Sequence, residues 1–183
     1  MTTMTINKKD YSCKKMKEME GHDGYVIRFD LCYKGKKVAE VYDDGNGGMI
    51  EFDWIKTWVD KPYPHKDVFP HHFKEGAKED FDALVEQMGS YEFMGSTTKY
   101  CDEVLVMDIY EEARLEQQLK KKLKKKVLYI KGDGCQEISW KGCKVITESH
   151  IKLAYKHYPE IKITLNELPF DEALETFISV VKK

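Results

Sequence analysis

The chain has 183 residues with 30 basic and 32 acidic side chains, a formal net charge of -2 with histidine neutral. So even a balance carries neither the strongly basic footprint of a dedicated nucleic-acid binder nor the surplus of a charged tail, and no run of about 18 apolar residues exists to span a bilayer. At 42% hydrophobic and 34% charged residues the composition is globular rather than disordered, and residues 1–183 are expected to form a single compact domain with a sizeable core.

Tyr11 to Trp54 alternate apolar and polar residues between glycine-bearing turns, the pattern of an antiparallel meander. Its strands are predicted over Tyr25–Tyr33, Lys37–Tyr42 and Met49–Trp54, joined by the turns Lys34-Gly-Lys36 and Asp43-Asp-Gly-Asn-Gly-Gly48, with Tyr11 to Glu18 as an added edge strand. Residues 55 to 73 change character, with three prolines, three histidines and a set of aromatic rings, and are read as an ordered aromatic loop. Ala77, Phe81, Leu84, Val85 and Met88 then recur at helical spacing, with Gly89 as the stop of a helix over Glu75 to Met88. A longer helix is predicted over Asp102 to Lys125, acidic in its first turn and basic in its last, which suits its dipole. A hairpin follows, Lys126–Lys131 and Cys135–Trp140 about Gly132-Asp-Gly134. Then come a short helix capped by Thr147 and ended by Pro159, a further strand over Ile161 to Leu165, and a last helix over Asp171 to Val181. The order is that of an α+β protein: an N-terminal β-meander packed with several helices and a second β-hairpin.

The segment Tyr33-Lys-Gly-Lys-Lys-Val-Ala-Glu-Val-Tyr-Asp-Asp-Gly-Asn-Gly-Gly48, with the distal Lys120-Lys-Lys-Leu-Lys-Lys-Lys-Val-Leu-Tyr-Ile-Lys-Gly-Asp133, resembles small accessory proteins of bacteriophages and prophages. The resemblance covers about a third of the chain and brings no catalytic residues with it. It implies a setting, a protein made in the cytoplasm of an infected bacterial host, where such proteins bind and neutralise a host factor or signalling molecule.

Five cysteines, Cys13, Cys32, Cys101, Cys135 and Cys143, are odd in number and form no CxxC pair, and the opening MTTMTINKKDYS holds no apolar stretch for a secretory signal. Both features fit free thiols and a cytoplasmic protein. Only Arg28 and Arg114 are arginines, so bidentate recognition of phosphate or guanine is thinly provided.

Among candidate sites, the backbone N–H groups of Asp43–Gly48 could form an anion nest, with Asp44, Asn46, Gly47 and Gly48 touching a ligand. A plain turn is the simpler reading, because the loop lacks the lysine of a P-loop and the glutamate of an EF-hand. Trp54 and Trp58, with His71 and His72, could stack and hydrogen-bond a nucleotide-like molecule, although such rings usually serve the core first. On the long helix Asp108, Glu112 and Glu116 fall on one stripe; a general acid/base pair or metal site there is weighed against acids at the solvent edge paired with lysines, which the lack of an ExxH partner favours. Lys120 to Lys126 is read mainly as a solvated helix end, with Lys126 offered to a phosphate-bearing ligand, and nucleic acid is disfavoured. No nucleophile signature appears, and Cys101, Cys135 and His150 have no motif context.

The sequence thus points to a non-enzymatic binding protein with no expected metal, cofactor or catalytic residue. It would sequester a nucleotide-like host molecule or inhibit a host defence protein. The alternatives are a metal-dependent nucleotide or phosphodiester hydrolase, and a protein-only inhibitor docking through an aromatic patch; self-association is left open.

Overall fold

A computed structural model describes residues 6–55, 57–59, 72–74 and 76–182, with 57–59, 72–74 and 76 as backbone only. The chain divides into two compact units, Met1–Tyr110 and Glu111–Lys183. Each is built on an antiparallel β element with helices, so the α+β reading holds. Among the described residues no helix is long and apolar enough to cross a membrane.

In the first unit β1 (Tyr11–Glu20), β2 (Tyr25–Tyr33), β3 (Lys36–Asp43) and β4 (Glu51–Trp54) form a four-stranded antiparallel sheet in chain order. The period-two pattern puts Ile27, Phe29 and Leu31 of β2 on the face shared with Ala39 and Val41 of β3, and all five are buried. Register places Phe52 opposite Val41 and Trp54 opposite Ala39, so both rings lie on this inner face. Helix α1 (Gly76–Met88) supplies Phe81 and Leu84, and the start of helix α2 (Asp102–Lys125) supplies Leu105, Val106, Ile109 and Tyr110, all buried. Phe81 is the hub of an aromatic cluster, with ring centroids 5.3 Å from Tyr11, 5.6 Å from Trp54 and 6.2 Å from Phe52, while Phe29 stacks on Tyr110 at 5.0 Å.

Two segments differ from the sequence expectation. Residues 57–59 (β5) and 72–74 (β6) pair as short antiparallel strands, Trp58 opposite Phe73, at the two ends of the stretch read as a loop. Ser90–Phe93 (β7) and Ser96–Lys99 (β8), for which no element was predicted, form a hairpin. Its turn is Met94-Gly95, both with positive φ, which suits the twist of a two-residue connection.

In the second unit β9 (Val127–Lys131) and β10 (Gly134–Ile138) form a hairpin covered on both sides of β9. Leu128 packs with Leu115 and Leu119 of α2 and with Ala173 and Phe177 of α4 (Phe170–Val181). Val127 and Tyr129, pointing the other way, pack with Ala154 of α3 (Glu148–His157) and Ile161. Burial on both faces is why Val-Leu-Tyr-Ile runs apolar without alternation. The strand expected over Ile161–Leu165 is reduced to a single bridge, Thr164 with Tyr129, followed by a 3₁₀ turn at Leu165–Glu167. Asn166 in that turn accepts the Leu128 N–H at 2.9 Å and donates to the Leu123 and Lys126 carbonyls at 3.1 and 3.0 Å, so one side chain ties the end of α2 to β9.

Candidate functional site

The loop between β3 and β4 uses its own carboxylates to hold its shape. Asp43 Oδ1 accepts the Gly45 N–H at 2.8 Å, and Asp44 accepts the Asn46 N–H at 2.9 Å and its side-chain amide at 3.1 Å. These are Asx turns, and they take two of the amides that an anion nest would have offered. Gly45 has φ +71° and lies so close to the β1–β2 connection that a Cβ there would come within 2.8 Å of the Tyr25 carbonyl. Gly47, at φ +74°, has open space around it, and Gly48 follows it toward β4. Trp54 is half-buried in the Phe81 cluster and lies parallel to Phe52 at 5.8 Å. His71 falls outside the described residues, and for Trp58 and His72 only the backbone strand position is described.

A concavity of the first unit lies elsewhere, on the outer face of the sheet. Arg28, Glu40, Tyr42, Glu51, Phe52 and Asp53 line an open depression of about 390 Å³. Cross-strand register assembles it: Arg28 faces Tyr42, Tyr42 faces Glu51, and Glu40 faces Asp53. Its one cation is engaged, since Arg28 Nε donates to Glu40 at 2.5 Å, and Lys37 donates to the same carboxylate at 3.1 Å. Those two contacts, Lys37 first, hold the Glu40 carboxyl below the usual range, so it remains charged. Glu51 and Asp53 are exposed and have no ion-pair partner among the described residues, which leaves the depression acidic beside the Tyr42 ring. Such a lining repels phosphate and favours a guanidinium or ammonium group, with the ring as an added cation–π surface.

Beside it runs a charge ladder. Asp30, buried on β2, is held by Lys37 at 2.5 Å and Lys15 at 3.0 Å, and the Lys37 hydrogen bond leads in keeping its carboxyl below the usual range. Lys15 reaches it from a bulge in β1 with a left-handed backbone, φ 51°.

In the second unit Lys126, offered above to a phosphate, is bound with Lys122 to the carboxylate of Glu137 on β10. The two lysines, Lys122 first, pull the Glu137 carboxyl below its ordinary value. Lys120 pairs with Glu116 and sits 5.0 Å above the Phe170 ring. Of the acidic stripe, Asp108 contacts Lys8 at 3.5 Å and Tyr100 at 3.3 Å, Glu112 contacts Lys182 at 3.7 Å, and each acid is partly exposed, which is the lysine-paired arrangement. Among the described residues no three His, Cys, Asp or Glu side chains gather to hold a metal ion.

One constellation escaped the sequence reading. A turn at Trp140–Cys143, with Gly142 at φ +78°, brings Cys143 Sγ to 3.6 Å from His150 Nε2 in the first turn of α3. The signal was local: a Trp-Lys-Gly-Cys turn just ahead of a Thr147 cap, with His150 at the third helical position.

No family model, curated protein or solved structure matches the chain.

Proposed function

We propose that the protein is a non-enzymatic binding protein whose target is another protein, engaged through a basic segment laid on the outer face of the four-stranded sheet. In the bacteriophage setting that the sequence resemblance implies, the target is a host factor, and docking inhibits it. The observation that carries this reading is the chemistry of the depression beside Tyr42. Glu51 and Asp53 face outward across from Tyr42 and Glu40, and Arg28 is committed to Glu40. Lysine or arginine side chains of a partner complement that lining, whereas an anionic nucleotide does not. Of the groups behind the nucleotide reading, the Gly45 and Asn46 amides serve Asx turns, Trp54 an aromatic cluster and Lys126 the Glu137 ion pair, while the side chains of Trp58, His71 and His72 lie outside what is described.

An arginine-rich peptide and a panel of mono-, di- and cyclic nucleotides, each titrated against the purified protein, separate the two readings. The peptide is expected to bind in a salt-sensitive way, and Glu51→Lys with Asp53→Lys is expected to weaken it about tenfold, since two attractive pairs become repulsive. Nucleotide binding that raises the melting temperature by about 5–10 °C near saturation, with no peptide binding, would overturn the proposal.

A further inference from the structure

The Cys143 thiol sits in surroundings unlike those of the other four cysteines. Burial pushes the Cys13 thiol up to about 12 and raises Cys32 and Cys135 as well, which keeps all three as protonated, poorly nucleophilic thiols. Cys101 is exposed just ahead of α2, with no imidazole bonded to it among the described residues. Cys143 is half-buried, between the exposed Lys141 and Lys144 in sequence, and has the His150 ring beside its sulfur.

The ring is fixed in one tautomer. The Thr147 backbone N–H donates to His150 Nδ1 at 3.2 Å, and a backbone amide can only donate, so Nδ1 is an acceptor and the ring proton lies on Nε2. The Thr147 hydroxyl, 2.7 Å from the same nitrogen, and the edge of Trp140, with ring centroids 5.0 Å apart, hold the plane of the imidazole. Nε2–H therefore points at Cys143 Sγ, while the thiol itself reaches the Val145 carbonyl at 3.3 Å. An imidazole that presents N–H rather than a lone pair cannot take the thiol proton. The pair is thus not a nucleophile with its general base, but a sulfur with a donor aimed where negative charge develops.

We propose that Cys143 is a redox-modifiable thiol that reacts with hydroperoxides, being oxidised to the sulfenic acid ahead of the other cysteines. The sulfur attacks one peroxide oxygen; an S–O bond forms and the O–O bond breaks. Sulfur loses two electrons, the peroxide gains them, and the departing oxygen takes the thiol proton, leaving as water from hydrogen peroxide or as an alcohol from an alkyl hydroperoxide. The His150 Nε2–H, beside the sulfur, donates to the departing peroxide oxygen, on which the negative charge develops, and to the sulfenic oxygen afterwards. The inference is independent of the docking proposal, because every residue it uses lies in the second unit.

Brief hydrogen peroxide treatment of the full chain, dimedone trapping and peptide mass spectrometry read the rate at each cysteine. Cys143 is expected to label about tenfold faster than Cys101, the most exposed competitor, as a hydrogen bond to a charged atom would give. Position 150 then supplies the control. Glutamate and glutamine can each keep the capping contact to the Thr147 N–H. His150→Gln still offers an amide N–H to the sulfur and is expected to stay within about threefold of the parent rate, whereas His150→Glu presents a carboxylate and is expected to fall about tenfold. Cys101 labelling as fast as Cys143, or equal Cys143 rates in the Glu and Gln variants, would overturn the proposal.

Discussion

The four-stranded sheet of the first unit and the β9–β10 hairpin of the second bury their strands in different ways. In the first, helices and aromatic rings cover one face, so β2 and β3 alternate and the other face carries Arg28, Asp30, Glu40 and Tyr42 as a patterned polar surface. In the second, β9 is covered on both sides by the Leu128 and Tyr129 clusters, and neither face of that strand is open. Away from β10 its backbone is met by the Thr164 bridge and by Asn166, and the proposed reactive thiol lies in a turn outside the hairpin, at Cys143. An open face suits a surface that selects a partner by charge. A doubly covered strand concentrates risk in whichever single side chain closes its hydrogen bonds.

That contrast is tested most severely at Asn166. Asn166→Ala removes three hydrogen bonds and leaves the Leu128 N–H and two carbonyls at the end of α2 unpaired. The expected loss is about 3 kcal/mol by denaturant titration, with Asn166→Asp losing roughly half, since the acceptor survives. A loss under about 1 kcal/mol would show that water replaces the bracket and that the second unit is less dependent on it than its geometry implies. In the first unit the matching test uses backbone rather than side chain. Gly45→Ala must hold a left-handed φ and displace the Tyr25 backbone, for about 2 kcal/mol, whereas Gly47→Ala meets no neighbour and costs only the conformational part, about 1 kcal/mol. Equal effects would mean that the two connections do not constrain each other.

The fold was largely readable because its determinants are periodic. Alternation located β1 to β4, helical spacing located α1 to α4, and the Gly132-Asp-Gly134 turn located the second hairpin. The β7–β8 hairpin escaped because Ser-Tyr-Glu-Phe and Ser-Thr-Thr-Lys bury little and so leave almost no apolar period, with Met94-Gly95 as the main local cue. The site was harder to read. Glycine content drew attention to Asp43–Gly48, but a composition does not say whether the loop's own aspartates occupy its amides. Arg28, Glu40, Tyr42 and Glu51 meet only through the register of β2, β3 and β4, which includes an irregularity at Leu31–Cys32 that no local pattern announces. Cys143 and His150 meet because a turn and a cap happen to face one another.

The gentlest test concerns pH and the charge ladder on the open face. Asp30 is held below its ordinary range chiefly by the Lys37 hydrogen bond, with Lys15 assisting. A carboxylate whose folded value is depressed contributes stability that is fully present above its unfolded value, about 3.9, and is lost as pH falls through the folded one. Acid titration of the melting temperature should therefore show a limb below about pH 4 that Asp30→Asn flattens, because the amide has no proton to take up. At neutral pH the same change should cost only about 1 kcal/mol, since Lys37 keeps Glu40 as a partner and the Lys15 side chain, 79% exposed, rehydrates. An acid limb left intact in Asp30→Asn would move the acid sensitivity to Glu40 or Glu137, whose carboxyls are likewise held low by lysine contacts. Glu137→Gln in the same titration would then tell the second unit's ion pair from the first unit's ladder.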